Sequence, residues 1–116
     1  MRAYIPVGWP ELAVLHDTGG LQGPLRACAV DPAWRAGSPD VDEEEWEFEA
    51  QLAAAEALAD VDGGVVLAVD VEEPAGEPED GWVTLEDPVS RRDVAAVLTS
   101  DLAWFGAQEI PGLLDR

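Results

Sequence analysis

Apolar and polar positions divide the chain into segments of different period, and the clearest is residues 42–60, DEEEWEFEAQLAAAEALAD. Its interior is rich in Ala, Leu, Glu and Gln, which lose little freedom in a helix, and it contains no Gly or Pro. At about 100° per residue, Glu45, Glu49, Glu56 and Asp60 fall on one narrow arc. Trp46, Ala50, Ala53, Ala57 and Val61, with Phe48, Leu52, Ala55 and Ala59, fill most of the rest. The pattern predicts a helix with one acidic stripe in water and a wide, alanine-rich buried surface. Small side chains let a neighbouring backbone approach closely, which suits a helix lying across a sheet.

The other segments are shorter. Residues 2–7 carry Tyr4, Ile5 and Val7 and run into Gly8 and Pro10, the pattern of a first strand ending in a turn. Pro10 then opens a helix of about two turns, with Glu11 in its first turn and Gly19-Gly20 as its stop. Residues 25–30 read as a second strand, followed by a loop punctuated by Pro32, Gly37 and Pro39. After Gly63-Gly64, the continuous apolar run of residues 65–69 has the pattern of a strand buried on both faces, the central one. Residues 72–81 form an acidic Pro/Gly loop expected to be mobile. Residues 82–86 alternate as a half-buried strand, residues 94–99 read as another, and residues 101–109 as a last helix closed by Pro111 and Gly112.

This order predicts an α/β or α+β fold: a small mixed sheet of about five strands packed by two to three helices, in a single domain spanning residues 1–116. The first three strands are expected to be parallel, joined by right-handed crossovers. No internal repeat is visible.

Composition adds a charge problem. Twenty-five Asp and Glu against six basic residues, all Arg, give a formal net charge of -19. Such a chain repels a phosphate backbone, so nucleic acid is not an expected partner, and only Arg91 and Arg92 are adjacent. No uninterrupted apolar stretch approaches the ~18 residues of a membrane span, and the expectation is a cytoplasmic protein without a leader. The sole cysteine, Cys28, reads as a small buried strand residue.

Motifs that carry chemistry are few. Asp17-Thr18-Gly19 is the triplet of dimeric aspartic proteases, but it follows a helical pattern and reads as a helix C-terminal turn. Residues 19–23 are Gly-rich but lack the Lys of a phosphate loop and read as a structural turn. His16 is the only histidine and belongs at a helix end. Asp40, Asp42 and Glu44, or Asp60 and Asp62, lack the glycine and terminal glutamate of a calcium loop. No metal site and no cofactor are predicted.

Two candidate surfaces remain. Glu43, Glu44, Glu45, Trp46 and Glu49 place an aromatic among carboxylates, a partner-binding surface for a basic protein; the same acids also stabilise the first turn of the helix. The alternative is a ligand pocket between the final helix and the sheet, built from Tyr4, Trp104, Gln108 and Glu109. A Gln and a Glu in that position also serve to tie a terminal helix to nearby backbone.

MRAYIPVGWPELAVL at the start and LAWFGAQEIPGLL at the end, with AVDPAWR and DEEEWEFEAQLAAAEAL between them, resemble a family of small actinobacterial proteins classed only as a domain of unknown function. The aromatic-x-x-Gln-Glu-Ile motif is the most specific part of that resemblance. Relative to the family, the segment before the final helix shrinks here to Leu98-Thr99-Ser100. The resemblance implies a source lineage and a cytoplasmic location and supplies no catalytic residues. The resulting expectation is a non-enzymatic, acidic interaction module that binds a basic protein. The alternatives are a small-molecule-binding protein or enzyme with a pocket near the C-terminal helix, and an inhibitor that mimics DNA.

Overall fold

The computed structural model describes residues 2–29, 43–58, 63–71, 82–86, 88–99 and 103–114. The loop expected at residues 72–81, and the one between residues 31 and 42, lie outside the described residues.

The first strand, β1 (Arg2–Gly8), runs directly into α1 (Trp9–Thr18), with Pro10 in the first helical turn. Gly19 ends α1 in the left-handed region at φ 82°, its N–H donating to the Leu15 carbonyl at 2.9 Å. Asp17-Thr18-Gly19 is therefore a helix C-terminus, as the pattern around it implies. Two short strands follow, β2 (Gly20–Leu21) and β3 (Leu25–Cys28), and then α2 (Glu43–Ala57). The apolar run becomes β4 (Gly64–Asp70), followed by β5 (Trp82–Leu85) and β6 (Val89–Ser90). A 3-10 turn at Arg91–Asp93 leads into β7 (Val94–Leu98), and the chain continues through β8 (Trp104–Phe105), a second 3-10 turn (Ala107–Glu109) and α3 (Ile110–Leu114).

Six strands form one sheet in the order β5-β3-β1-β4-β7-β8, and β2 pairs with β6 in a separate two-stranded ribbon. The fold is α+β, and every strand pair is antiparallel. The parallel arrangement expected for the first three strands is thus wrong. The chain between β1 and β3 carries α1 yet does not return in the same direction, because β2 is spent on the side ribbon and β3 enters the sheet reversed. The central position of β4 is as expected. It pairs with β1 along its whole length, from Arg2 opposite Asp70 to Gly8 opposite Gly64.

Strict alternation along β1 and β4 divides the core in two. Ala3, Ile5 and Val7 with Val65, Leu67 and Val69 face α1 and α3, whose Leu12, Leu15, Ile110 and Leu113 complete that side. Tyr4, Val66 and Ala68 face the other way, against Ala50, Ala54, Ala55 and Leu58 of α2. A register shift at Ala68/Val69 lets both Val94 and Val97 of β7 point toward the α1 side. The sheet is therefore covered on both faces, with α2 lying across it on a bed of alanines.

The C-terminal segment differs most from expectation. Trp104 and Phe105 extend β7's neighbour β8, with Leu98 opposite Trp104, and the α-helix begins only at Ile110 and includes Pro111 and Gly112. Phe105 packs against the α1-side core while Trp104 is 51% exposed. Alternation of this kind across two residues is too short to register as a period in sequence.

Gly64 marks the tightest backbone approach: a Cβ there would collide with the Val7 carbonyl oxygen, at a φ of 156°. Gly64→Ala is expected to destabilise the fold by more than about 1 kcal/mol, and Leu67→Ala by about 2–5 kcal/mol. Leu52→Ala, on the outer face of α2, should change it by no more than about 0.5 kcal/mol. Urea unfolding followed by tryptophan fluorescence measures all three.

Candidate functional site

The two surfaces anticipated from sequence are rearranged by the fold. On α2, buried Ala50, Gln51, Ala54 and Leu58 define the inward face, and the exposed arc runs through Phe48, Leu52, Glu45, Glu56 and Glu49. The acidic stripe faces water as predicted. Phe48 and Leu52 do not belong to the buried surface: they are 51% and 37% exposed. The helix packs chiefly on β1, β3 and β4, and the flank carrying these two side chains stays exposed. Glu43, Glu44 and Trp46 lie in the helical segment, but their side chains are outside the described residues.

The grouping of Tyr4 with Trp104, Gln108 and Glu109 is not formed. Tyr4 is 1% exposed on the α2 side of the sheet, where Gln51 Nε2 donates to its hydroxyl oxygen at 3.3 Å. Trp104 sits at the edge of the sheet, with β7 and β4 between its strand and β1. Glu109 is occupied locally, its carboxylate accepting the Gly106 N–H at 2.7 Å. That bond ties the terminal turn to nearby backbone. Gln108 lines an open surface, together with residues outside the expected pocket.

That surface is a groove of about 610 Å³ lined by Thr18, Gly19, Ser90, Arg91, Arg92 and Gln108. Pairing of β2 with β6 brings the end of α1 against the 3-10 turn, Gly20 opposite Ser90, and the Arg91 N–H donates to the Gly19 carbonyl at 2.9 Å. Arg91 Nη1 reaches the His16 carbonyl at 3.4 Å, a cation at the negative end of α1. Thr18 Oγ1 is placed to donate to the carbonyls of Val14 and Gly20, at 2.7 and 2.9 Å. Ser90 Oγ accepts the Arg92 N–H at 3.4 Å. The sequence signal for this site was the one adjacent basic pair in a strongly acidic chain.

Among the described residues, no group of three His, Cys, Asp or Glu side chains is placed to hold a metal ion. His16 lies half-buried on α1 with its Nδ1 buried and without a hydrogen-bond partner among the described residues. Cys28 lies on the other side of the sheet, directly opposite Tyr4 in the pairing of β1 with β3. Burial pushes the Cys28 thiol up to about 12, against a smaller downward pull from Arg26. A protonated, buried thiol is a poor nucleophile. Burial likewise raises Tyr4, opposed by its bond to Gln51 and reinforced by the nearby Glu47 carboxylate.

Residues 1–101 match the model of the DUF6912 family, described as a family of unknown function. The match takes in the N-terminal and central segments of the sequence resemblance and stops before its C-terminal motif. No curated protein and no solved structure matches the chain significantly. No helix among the described residues is long and apolar enough to cross a membrane.

Both shifted groups are held in their neutral forms by the fold. Their contribution to stability is complete below the unfolded thiol value of about 8.5 and is lost as pH rises through the folded values. Unfolding free energy should therefore fall between about pH 8.5 and 12. At pH 8 Cys28 should resist iodoacetamide in the folded chain and react after addition of denaturant, as read by intact mass.

Proposed function

We propose that this chain, which belongs to the DUF6912 family, is a cytoplasmic interaction module that docks a basic protein surface on the outward face of α2. The observation that carries this reading is the exposure of Phe48 and Leu52, one turn apart, beside the stripe of Glu45, Glu49 and Glu56. Two large apolar side chains left in water, each worth about 1.5–3 kcal/mol when fully buried, supply affinity to a partner that covers them. The carboxylates alongside supply orientation and a fast encounter with positive charge, and the net charge of -19 extends that attraction. Phe48 and Leu52 also favour a protein pocket over an enzyme that reads DNA: a phosphate backbone offers no apolar centre to imitate. A membrane or nucleic acid, both bearing negative charge, is a poor match.

The test is capture from the native host with tagged full-length chain at low and at high salt, then purification of the bound protein and calorimetry. A stoichiometric partner with a basic surface is expected, weakening as salt screens contacts beyond about 8–10 Å. Phe48→Ser with Leu52→Ser should cost at least about 2 kcal/mol of binding, and Glu45→Lys with Glu49→Lys and Glu56→Lys should slow association and remove the salt dependence. Both sets leave the buried face of α2 intact, so melting temperatures should be unchanged. A partner whose affinity ignores both sets of substitutions would sink the reading.

A further inference from the structure

The groove between α1 and the 3-10 turn stands apart from α2, on the opposite side of the sheet, and its chemistry is opposite in sign. None of the described residues lining it is a carboxylate. Two of the six arginines meet here, and neither forms an ion pair with a described residue. The other two described arginines are engaged: Arg2 bridges Asp70 at 3.2 Å, and Arg26 lies over the Trp82 ring at 4.8 Å. Arg91 is partly engaged, through the one nitrogen that reaches the His16 carbonyl. Arg92 makes no side-chain hydrogen bond with a described residue, and its side chain is exposed.

The hydroxyls differ in what they have left to give. Thr18 has its only proton committed to backbone carbonyls and serves as wall. Among the described residues Ser90 is bonded only as an acceptor of the Arg92 N–H, which leaves its own proton for a ligand. Gln108 brings a carboxamide to the same rim. The free donors are thus the Arg92 guanidinium, the remainder of Arg91, the Ser90 hydroxyl and the Gln108 amide. This is a donor-rich, acceptor-poor concavity with two fixed positive charges.

We propose that this groove binds a small phosphate-bearing molecule, its phosphate held by Arg91 and Arg92 and its remaining oxygens served by Ser90 and Gln108. Guanidinium groups match phosphate oxygens in bidentate geometry, and two of them balance a dianion. The volume, within the ~300–1,000 Å³ span of ligand sites, admits a body larger than phosphate alone. A polymer of phosphates is disfavoured because it would lie close along a surface of net charge -19, which two arginines cannot offset. The Gly-rich turn itself is not the cradle: Gly19 is spent on the helix cap and Gly20 on β2.

The same phosphate chemistry is presented by free metabolites and by lipid headgroups, and the experiment separates them. Full-length chain is titrated calorimetrically with inorganic pyrophosphate against sodium chloride of matched ionic strength, and in parallel floated with vesicles containing phosphatidic acid. Saturable binding of pyrophosphate is expected, with no vesicle capture. Arg92→Gln should weaken it about tenfold or more, the loss of one charge-assisted donor group. Its melting temperature should stay unchanged, because the Arg92 side chain holds no described contact. Arg91→Gln is the less clean variant, since it also strips a cation from the end of α1; Ser90→Ala should give a smaller loss. Absence of saturable binding, equal affinity in Arg92→Gln, or capture by vesicles alone would overturn the proposal.

Discussion

The antiparallel pairing of β1 with β4 sets the position of everything else. Seven consecutive residue pairs, from Arg2 with Asp70 to Gly8 with Gly64, fix the register, and a slip of one residue would turn every side chain to the opposite face. Because both strands are apolar on both faces, the pair has to be covered twice. Leucines from α1 fill one side, where the strand residues are large, and alanines from α2 the other, where Tyr4 and Val66 already occupy much of the space. The helices differ in composition because the two faces leave them different gaps.

That double cover separates the molecule's two candidate surfaces. The outward face of α2 looks away from the sheet on one side, and the groove at the end of α1 opens on the other. Each surface stands on its own chemistry, apolar and acidic in one case, polar and cationic in the other.

Much of this was legible from periodicity. The long acidic helix, the Pro-led helix with its glycine stop, the buried central strand and the strands near residues 82 and 94 all appear where their patterns place them. What escaped did so for physical reasons. Strand direction is set by where the chain re-enters the sheet, and the two-residue strands β2 and β6 that reroute it are too short to carry a period. Phe48 and Leu52 fall on the wide arc that the helical period predicts to be buried, whereas the sheet meets only the part of it that carries Ala50, Ala54 and Ala55. The C-terminal segment has helix-forming residues, but Phe105 pairs with Val97 and completes the α1-side core as a strand residue. The pocket expected there is not formed because Tyr4 is buried on the α2 side of the sheet, away from α3.

The placement of cations carries the last step. In a chain of net charge -19, any arginine can lower its free energy by moving toward a carboxylate, and Arg2 does so with Asp70. Arg91 instead holds a backbone carbonyl at the end of α1, where the helix's own negative pole replaces a carboxylate. Arg92 follows it on a three-residue turn whose backbone direction is fixed by Ser90, so its position is inherited from the β2–β6 pairing. The ribbon that reverses the topology is therefore also what assembles this cationic concavity. A structural requirement accounts for one nitrogen of Arg91 and, among the described residues, for nothing of the Arg92 guanidinium. It is the second arginine, exposed and uncommitted in a molecule that has acids to spare, that gives the groove a chemical direction.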